Sequence, residues 1–294
     1  MKLIESKAEY LPQENGIEGI YKMIEVAGRT AYHSQDKITS TSAKDFVDRM
    51  IKSTHGAALE HGTVYLAIPY TDEETLSHYR GVAGKYNEIE FTRYSKVTMM
   101  RGTHNYVTTN YRVLVENNWL NDLQYLCSPT EFHERRYTMR FTCSRAIAQE
   151  LTRHRVFSFL MESQRYVNYS KERHGGELTL IVPDRSAWER TDTSNGDAYW
   201  AMLILLDDVE RVYKQAIKDG VQPQTARDIL PNATKTELIM TGFASDWRHV
   251  MDLRLFGKTG APHPDMKDLI QKAQKVMQEA GIWDDIMSKP SKFE

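Results

Sequence analysis

The chain has 294 residues, of which 27% are charged and 40% apolar, with a formal net charge of −2. That is an ordinary globular composition, long enough for one large domain or two modest ones. The near-neutral balance excludes a global field that would attract nucleic acid.

No apolar run is long enough to span a bilayer, and Met1 to Ser6 lacks the apolar core of a signal peptide. Cys127 and Cys143 are the only cysteines, so neither a disulfide framework nor a Cys-rich metal site is expected. A cytoplasmic location follows as the expectation.

In chain order, the first 70 or so residues read as strand, helix, loop, helix, strand. Ile17, Ile20, Tyr21 and Ile24 fall at helical spacing. Thr41-Ser42 offers an N-cap for a helix carrying Phe46, Met50 and Ile51. The run Thr63 to Pro69 is rich in β formers and closed by proline. Asp72-Glu73-Glu74 and Gly81 to Asn87 are polar and loop-like. Tyr106 to Val115 alternates like a strand or hairpin arm, and a short helix is expected around Trp119 to Leu126. No Pro/Gly/Ser linker flanks residues 70–134, so they read as an insertion within one domain spanning 1–294.

Arg136 to Thr142 looks like a strand, and Ser144 to Thr152 like a helix burying Ala146, Ile147, Ala148 and Leu151. Tyr199, Leu203, Leu206, Val209, Val212, Tyr213, Ala216 and Ile217 form an apolar helical stripe, core or subunit interface, ended by Gly220. Pro223 suits the first turn of a next helix, which carries Arg227 and stops at Pro231. Further helices are expected over Thr236 to Leu253 and from Met266 to Met277. The fold class is therefore α+β: a mostly antiparallel central sheet flanked by helices, with a helical C-terminal part.

The chemistry concentrates between the strand-helix unit and that helical part. Arg153-His154-Arg155 is followed, after seven residues, by Ser163, then Gln164 and Arg165-Tyr166. Helical residues step by about 100°, so the first three side chains fan outward. Arginine grips phosphate and carboxylate with a planar, always-charged fork. Alone, such a triplet is more often a solvated helix end. With Ser163, Arg165, Arg227 and Arg254 it points to an anionic ligand.

This spacing resembles the R-H-R-x7-S-x-R signature of the flavin-dependent thymidylate synthases. Three further segments resemble that family in the same order. They are His55-Gly56-Ala57-Ala58-Leu59-Glu60-His61, Ala226-Arg227-Asp228-Ile229-Leu230-Pro231 and Asp252-Leu253-Arg254. The resemblance implies reductive methylation of dUMP to dTMP, with methylenetetrahydrofolate as carbon donor, FAD as redox carrier and NADPH as reductant. It implies FAD contacts from His55, Ala57, Arg153, His154, Arg155, Met161 and His249. It implies dUMP contacts from Glu150, Arg153, Glu162, Ser163, Gln164, Arg165, Arg227 and Arg254. Ser163 and Arg165 match the part that holds the dUMP phosphate across a subunit boundary, and a homotetramer with active sites at subunit interfaces is implied.

Arg254 matches the arginine against the uracil ring, the catalytic role. Uracil C5 is a poor nucleophile, and a guanidinium at N3/O2 stabilises the negative charge that develops as the ring becomes enolate-like. No cysteine nucleophile is then required. Ser163 has no adjacent base, so it reads as a phosphate-binding hydroxyl rather than a nucleophile.

The chain departs from the family's usual residues at Ala57, Met161, Phe243 and His249. Glu162 can substitute for a polar residue at Met161, and His249 for an asparagine donor to the flavin ring. Two other readings stay open: hydroxymethylation of dUMP or dCMP on the same fold, and a non-catalytic nucleotide-binding module. No metal site is expected, because His55 and His61 lack a carboxylate partner at metal-ligand spacing. His104, His133 and His174 read as surface residues, Tyr106 to Tyr111 as sheet packing rather than base stacking, and Lys171-Glu172-Arg173 as a solvated face.

Overall fold

A computed structural model describes residues 1–69, 82–88, 94–99, 103–165, 167–171, 176–182 and 195–293. Two antiparallel sheets carry the architecture. The first has the order β2-β6-β9-β7, from Lys7–Tyr10, Arg136–Ser144, Lys235–Phe243 and Ser158–Met161 respectively. The second has the order β3-β5-β4, from Thr63–Pro69, His104–Asn110 and Lys96–Met99. A short parallel pair joins β1 (Lys2–Ile4) to β8 (Thr179–Ile181). The α+β expectation therefore holds, and among the described residues no helix is long and apolar enough to cross a membrane.

Three apolar cores lie on these sheets. One packs Phe141, Met139, Leu238 and Met240 of the first sheet against the late helices α8 (Ala244–Val250), α9 (Pro264–Glu279) and α10 (Trp283–Met287). A second packs the other sheet against α1 (Gly16–Ala31) and α2 (Ser42–Lys52). A third places Leu206 and Tyr213 of α6 (Asn195–Lys218) against Leu178 and Leu180.

The joint between the two sheets is polar. Arg136, at the start of β6, is 9% exposed and donates to the Glu60 carbonyl, to Thr63 Oγ1 and to Ser158 Oγ. His61 lies beside it with Nδ1 2.8 Å from Thr241 Oγ1. Burial first, then the Arg136 charge, drives His61 down to about 3.

Several expectations need correction. Thr236 to Phe243 is not helical: it is β9, paired with both β6 and β7 and almost wholly buried. A strand covered on both faces reads as a continuous apolar run, which periodicity does not separate from a buried helix. The helix begins at Ala244 and passes into a π turn at Met251–Leu255. The alternation from Tyr106 stops at Asn110, whose side chain accepts from Val113 N and starts α4 (Tyr111–Glu116). The element after Trp119 is a 3₁₀ turn, Leu120–Tyr125.

Five side-chain expectations also change. Tyr86, in the polar 81–87 stretch, is fully buried and donates to Asp122 Oδ2. His133 is 5% exposed, held by Leu66 O and Thr130 N. Ala146 is only half-buried, and Val212 is exposed. Thr41 occupies the N-cap of α2 without a side-chain bond; Ser42 Oγ instead donates to Glu25. Asp72-Glu73-Glu74, Tyr166, Glu172, Arg173 and His174 lie outside the described residues.

Trp247 concentrates the packing of the first core. It is fully buried, donates from Nε1 to the Tyr137 carbonyl at 3.1 Å, and meets Phe157 edge-on at 4.8 Å. Trp247→Ala is expected to lower unfolding free energy by about 3–5 kcal/mol in urea titration. An unchanged midpoint would deny it that role.

Candidate active site

The turn that follows α5 (Arg145–Leu151) builds the centre of the site. Ser144 caps α5 by accepting from Ile147 N, and the helix ends in tight backbone bonds, His154 N to Leu151 O and Phe157 N to His154 O. Phe157 anchors the turn from below. Gly242 makes room for it: a Cβ there would lie 2.3 Å from the Phe157 ring. With the turn pinned, His154 points inward at 8% exposure, while Arg153 and Arg155 point outward.

Arg254 reaches this turn from the π segment. A π turn adds a residue to the helix and commonly marks a functional position. Arg254 Nε donates to His154 Nε2 at 3.3 Å, and Nη1 lies 3.5 Å from Glu150 Oε2. Because arginine only donates, His154 accepts at Nε2 and carries its proton at Nδ1. Burial first, and the Arg254 charge second, push His154 down to about 4. The imidazole is therefore neutral at pH 7. Glu150 supplies the compensating negative charge, and Arg254 keeps a partly exposed edge for a ligand.

His249, one turn earlier, faces His154 edge-on at 6.5 Å. Its Nδ1 is buried and has no hydrogen-bond partner among the described residues, and burial lowers its pKa. Glu150, His154, His249 and Arg254 thus meet in one place, with Arg153 exposed beside them, although 100 residues separate His154 from Arg254.

The second half of the signature sits at the other end of β7. Glu162 is 3% exposed and bonded to Lys235 Nζ at 2.8 Å, with His33 Nδ1 at 3.6 Å. Burial alone would raise this carboxyl; His33 and Lys235 overcome that and hold it below the ordinary carboxylate range. Glu162 is therefore committed to an internal ion network. Ser163 N donates to the Ala31 carbonyl, and its Oγ accepts from Arg165 N. Gln164 is buried, and Arg165 is exposed. Arg227 is half-buried in the 3₁₀ turn Arg227–Ile229, which follows α7 (Pro223–Ala226).

Next to this group a cavity of about 970 Å³ opens between the first sheet and the loop after α1. Tyr32, His33, Arg140 and Glu237 line it, and none of these was singled out from sequence. His33 stands in the left-handed region at φ 47°, uncommon for a residue other than glycine. No sequence pattern flags it. His55, exposed at the start of α3 (Gly56–Leu59), lies 3.3 Å from the Tyr32 hydroxyl; Ala57 is exposed beside it, and Met161 is half-buried at the end of β7. Most of the expected residues therefore lie in two groups, one at each end of β7. Among the described residues no group of three or more His, Cys, Asp or Glu is placed to hold a metal ion.

Comparison with known proteins bears on this geometry. The family model "Thymidylate synthase complementing protein" (Thy1) matches residues 118–280, which take in both halves of the signature, Arg227, His249 and Arg254 but not His55 or Ala57. A flavin-dependent thymidylate synthase of Pyrococcus furiosus is 30% identical over 144 residues, 49% of this chain and 53% of its own. One from Corynebacterium diphtheriae is 38% identical over 140 residues, 46% of this chain and 54% of its own. The chain thus spans about half the length of the curated relatives it matches. A UMP/dUMP methylase of Streptomyces cacaoi covers 98% of this chain and 96% of its own at 14% identity and a TM-score of 0.48, too loose a likeness to carry weight.

The neutral state of His154 has a measurable consequence. Its folded value, about 4, lies below the ordinary 6.5. The unfolded chain therefore takes up this proton first as pH falls. The stability His154 contributes is complete above 6.5 and is lost between 6.5 and about 4. Urea midpoints should accordingly fall between about pH 7.5 and about pH 5, and His154→Gln should flatten part of that slope. Equal slopes in the two proteins would remove the assignment.

Proposed function

The chain belongs to the thymidylate synthase complementing protein (Thy1) family, and we propose that it reductively methylates dUMP to dTMP. Methylenetetrahydrofolate is the carbon donor, FAD the redox carrier and NADPH the reductant. The observation that carries this reading is the Arg254–His154–Glu150 constellation. It is a cation with one edge open, oriented by a neutral imidazole and balanced by a carboxylate.

Each residue has a task that follows from its surroundings. Arg254 lies against the pyrimidine edge and stabilises the negative charge that builds on N3 and O2 as C5 becomes nucleophilic. His154, kept neutral, orients Arg254 without repelling it. Ser163, Gln164, Arg165 and Arg227 bind the nucleotide, with Arg165 gripping the phosphate. Glu162 acts behind them, holding Lys235 at the end of β7.

The residues present also fit a flavin. His249 offers a buried, unpartnered ring nitrogen, and Arg153 and Arg155 offer exposed guanidinium groups for a pyrophosphate. His55, Ala57, Met161 and His154 complete that set. When bound and reduced by NADPH, the flavin would supply the hydride that reduces the transferred carbon.

The position of the two groups at opposite ends of β7 supports a site completed by a second copy. Trp200, Ile204 and Leu205 leave α6 with exposures of 56%, 67% and 62%. Such a face suits a subunit interface in the proposed homotetramer. The two free cysteines suit a reducing cytoplasm.

Incubation with dUMP, methylenetetrahydrofolate, FAD and NADPH, followed by product mass analysis, tests the reading. A dTMP mass is expected. A hydroxymethylated product would change the reaction assigned, and no turnover by a protein that binds no flavin would leave only nucleotide binding. Arg254→Ala should retain flavin and lose methylation; normal turnover would overturn the role of Arg254. Arg165→Ala should raise the dUMP KM by about ten- to a hundredfold, the value of a charge-assisted phosphate contact.

A further inference from the structure

The segment after α10 turns back across the helix that carries Arg254. Arg248 Nη1 donates to the Met287 carbonyl at 2.8 Å. Ser291 Oγ donates to Asp252 Oδ2 at 2.7 Å and accepts from Phe293 N at 3.2 Å. Asp252 is fully buried and also accepts from Arg248 Nε at 3.3 Å. These bonds tie the segment to α8 and the π turn at two successive turns of helix.

Their result is a ring stack. Phe293 lies nearly parallel to His249, with 15° between the planes and 5.7 Å between centroids, an offset arrangement favoured between aromatic faces. His249 in turn meets His154 edge-on, and His154 accepts from Arg254. Phe293, His249, His154 and Arg254 thus form one continuous row.

The stack matters because little else orients His249. Its Nδ1 has no hydrogen-bond partner among the described residues. The χ2 torsion of histidine is broad and roughly two-fold, so the ring plane is left to whatever covers its face. Phe293 covers it. Phe293 is itself 41% exposed, so its role in core packing is small. It also lies beyond residues 118–280, the stretch the family model matches.

We propose that Phe293 is a positioning residue of the active site, held by the Ser291–Asp252 bond, and that it sets the plane of the His249 ring for a bound flavin. The flavin part rests on the function proposed above; the ordering of His249 does not.

The test uses the full-length chain in wild-type, Phe293→Ala, Phe293→Leu, Phe293→Tyr and Ser291→Ala forms. Flavin-free protein is titrated with FAD by fluorescence quenching and visible absorbance. Loss of one aromatic stack should weaken FAD by about three- to tenfold in F293A. F293L should follow F293A, F293Y should restore binding, and S291A should weaken it in the same direction. Melting temperatures report folding separately, and F293L keeps apolar bulk should F293A fold poorly.

The imidazole proton shifts of His249 are measured by NMR without flavin, where removal of the Phe293 ring current should move them in F293A and F293L but not in F293Y. Wild-type affinity and spectrum in F293A, or unmoved His249 resonances, would overturn the proposal. If the wild type itself binds no FAD, the flavin reading falls, and the resonances alone decide whether Phe293 orders His249.

Discussion

Strand β9 is the constraint on which the rest depends. It pairs antiparallel with β6 along nine residues and with β7 along four, and it is buried almost throughout. Its N-terminal end holds Lys235 and Glu237 against Glu162. Its C-terminal end holds Gly242 against Phe157 and opens directly into the helix bearing His249 and Arg254. Both halves of the site therefore hang on one strand, one at each end. A register slip of a single residue would turn every side chain of β9 to the opposite face.

Charge is handled differently at the two ends. Near Arg254 the protein withholds it. His154 is too buried and too close to a guanidinium to be protonated at neutral pH, so it accepts a hydrogen bond and adds no repulsion. Near Glu162 the protein accumulates charge and pairs it, with Lys235 between two carboxylates. The first arrangement leaves a cation available to a ligand; the second makes a rigid floor. A related economy ties the two sheets together, where Arg136 gives its protons to a carbonyl and two hydroxyls instead of a carboxylate.

The signature from Arg153 to Arg165 was legible because its residue types and spacing are dictated by ligand chemistry and lie close together in the chain. So were the helices ended by Gly220 and begun by Pro223, where turn and cap chemistry is local. The region from Thr236 was misread as helix because burial on both faces erases the alternation that identifies a strand. His133 was misread as a surface residue because its partners, Leu66 and Thr130, come from a strand and a turn whose meeting no local pattern announces.

Sequence alone determined the class of the fold, the arginines proposed to meet an anionic ligand and the family they belong to, since each rests on residue type at fixed spacing. Tertiary structure decided what those residues do for one another. It set His154 neutral by burial beside Arg254 and committed Glu162 to Lys235. It placed β7 between the two halves of the signature and brought His33 and Phe293 to the site from distant parts of the chain. Those outcomes depend on which elements pack together, and distance along the chain carries no record of distance in space.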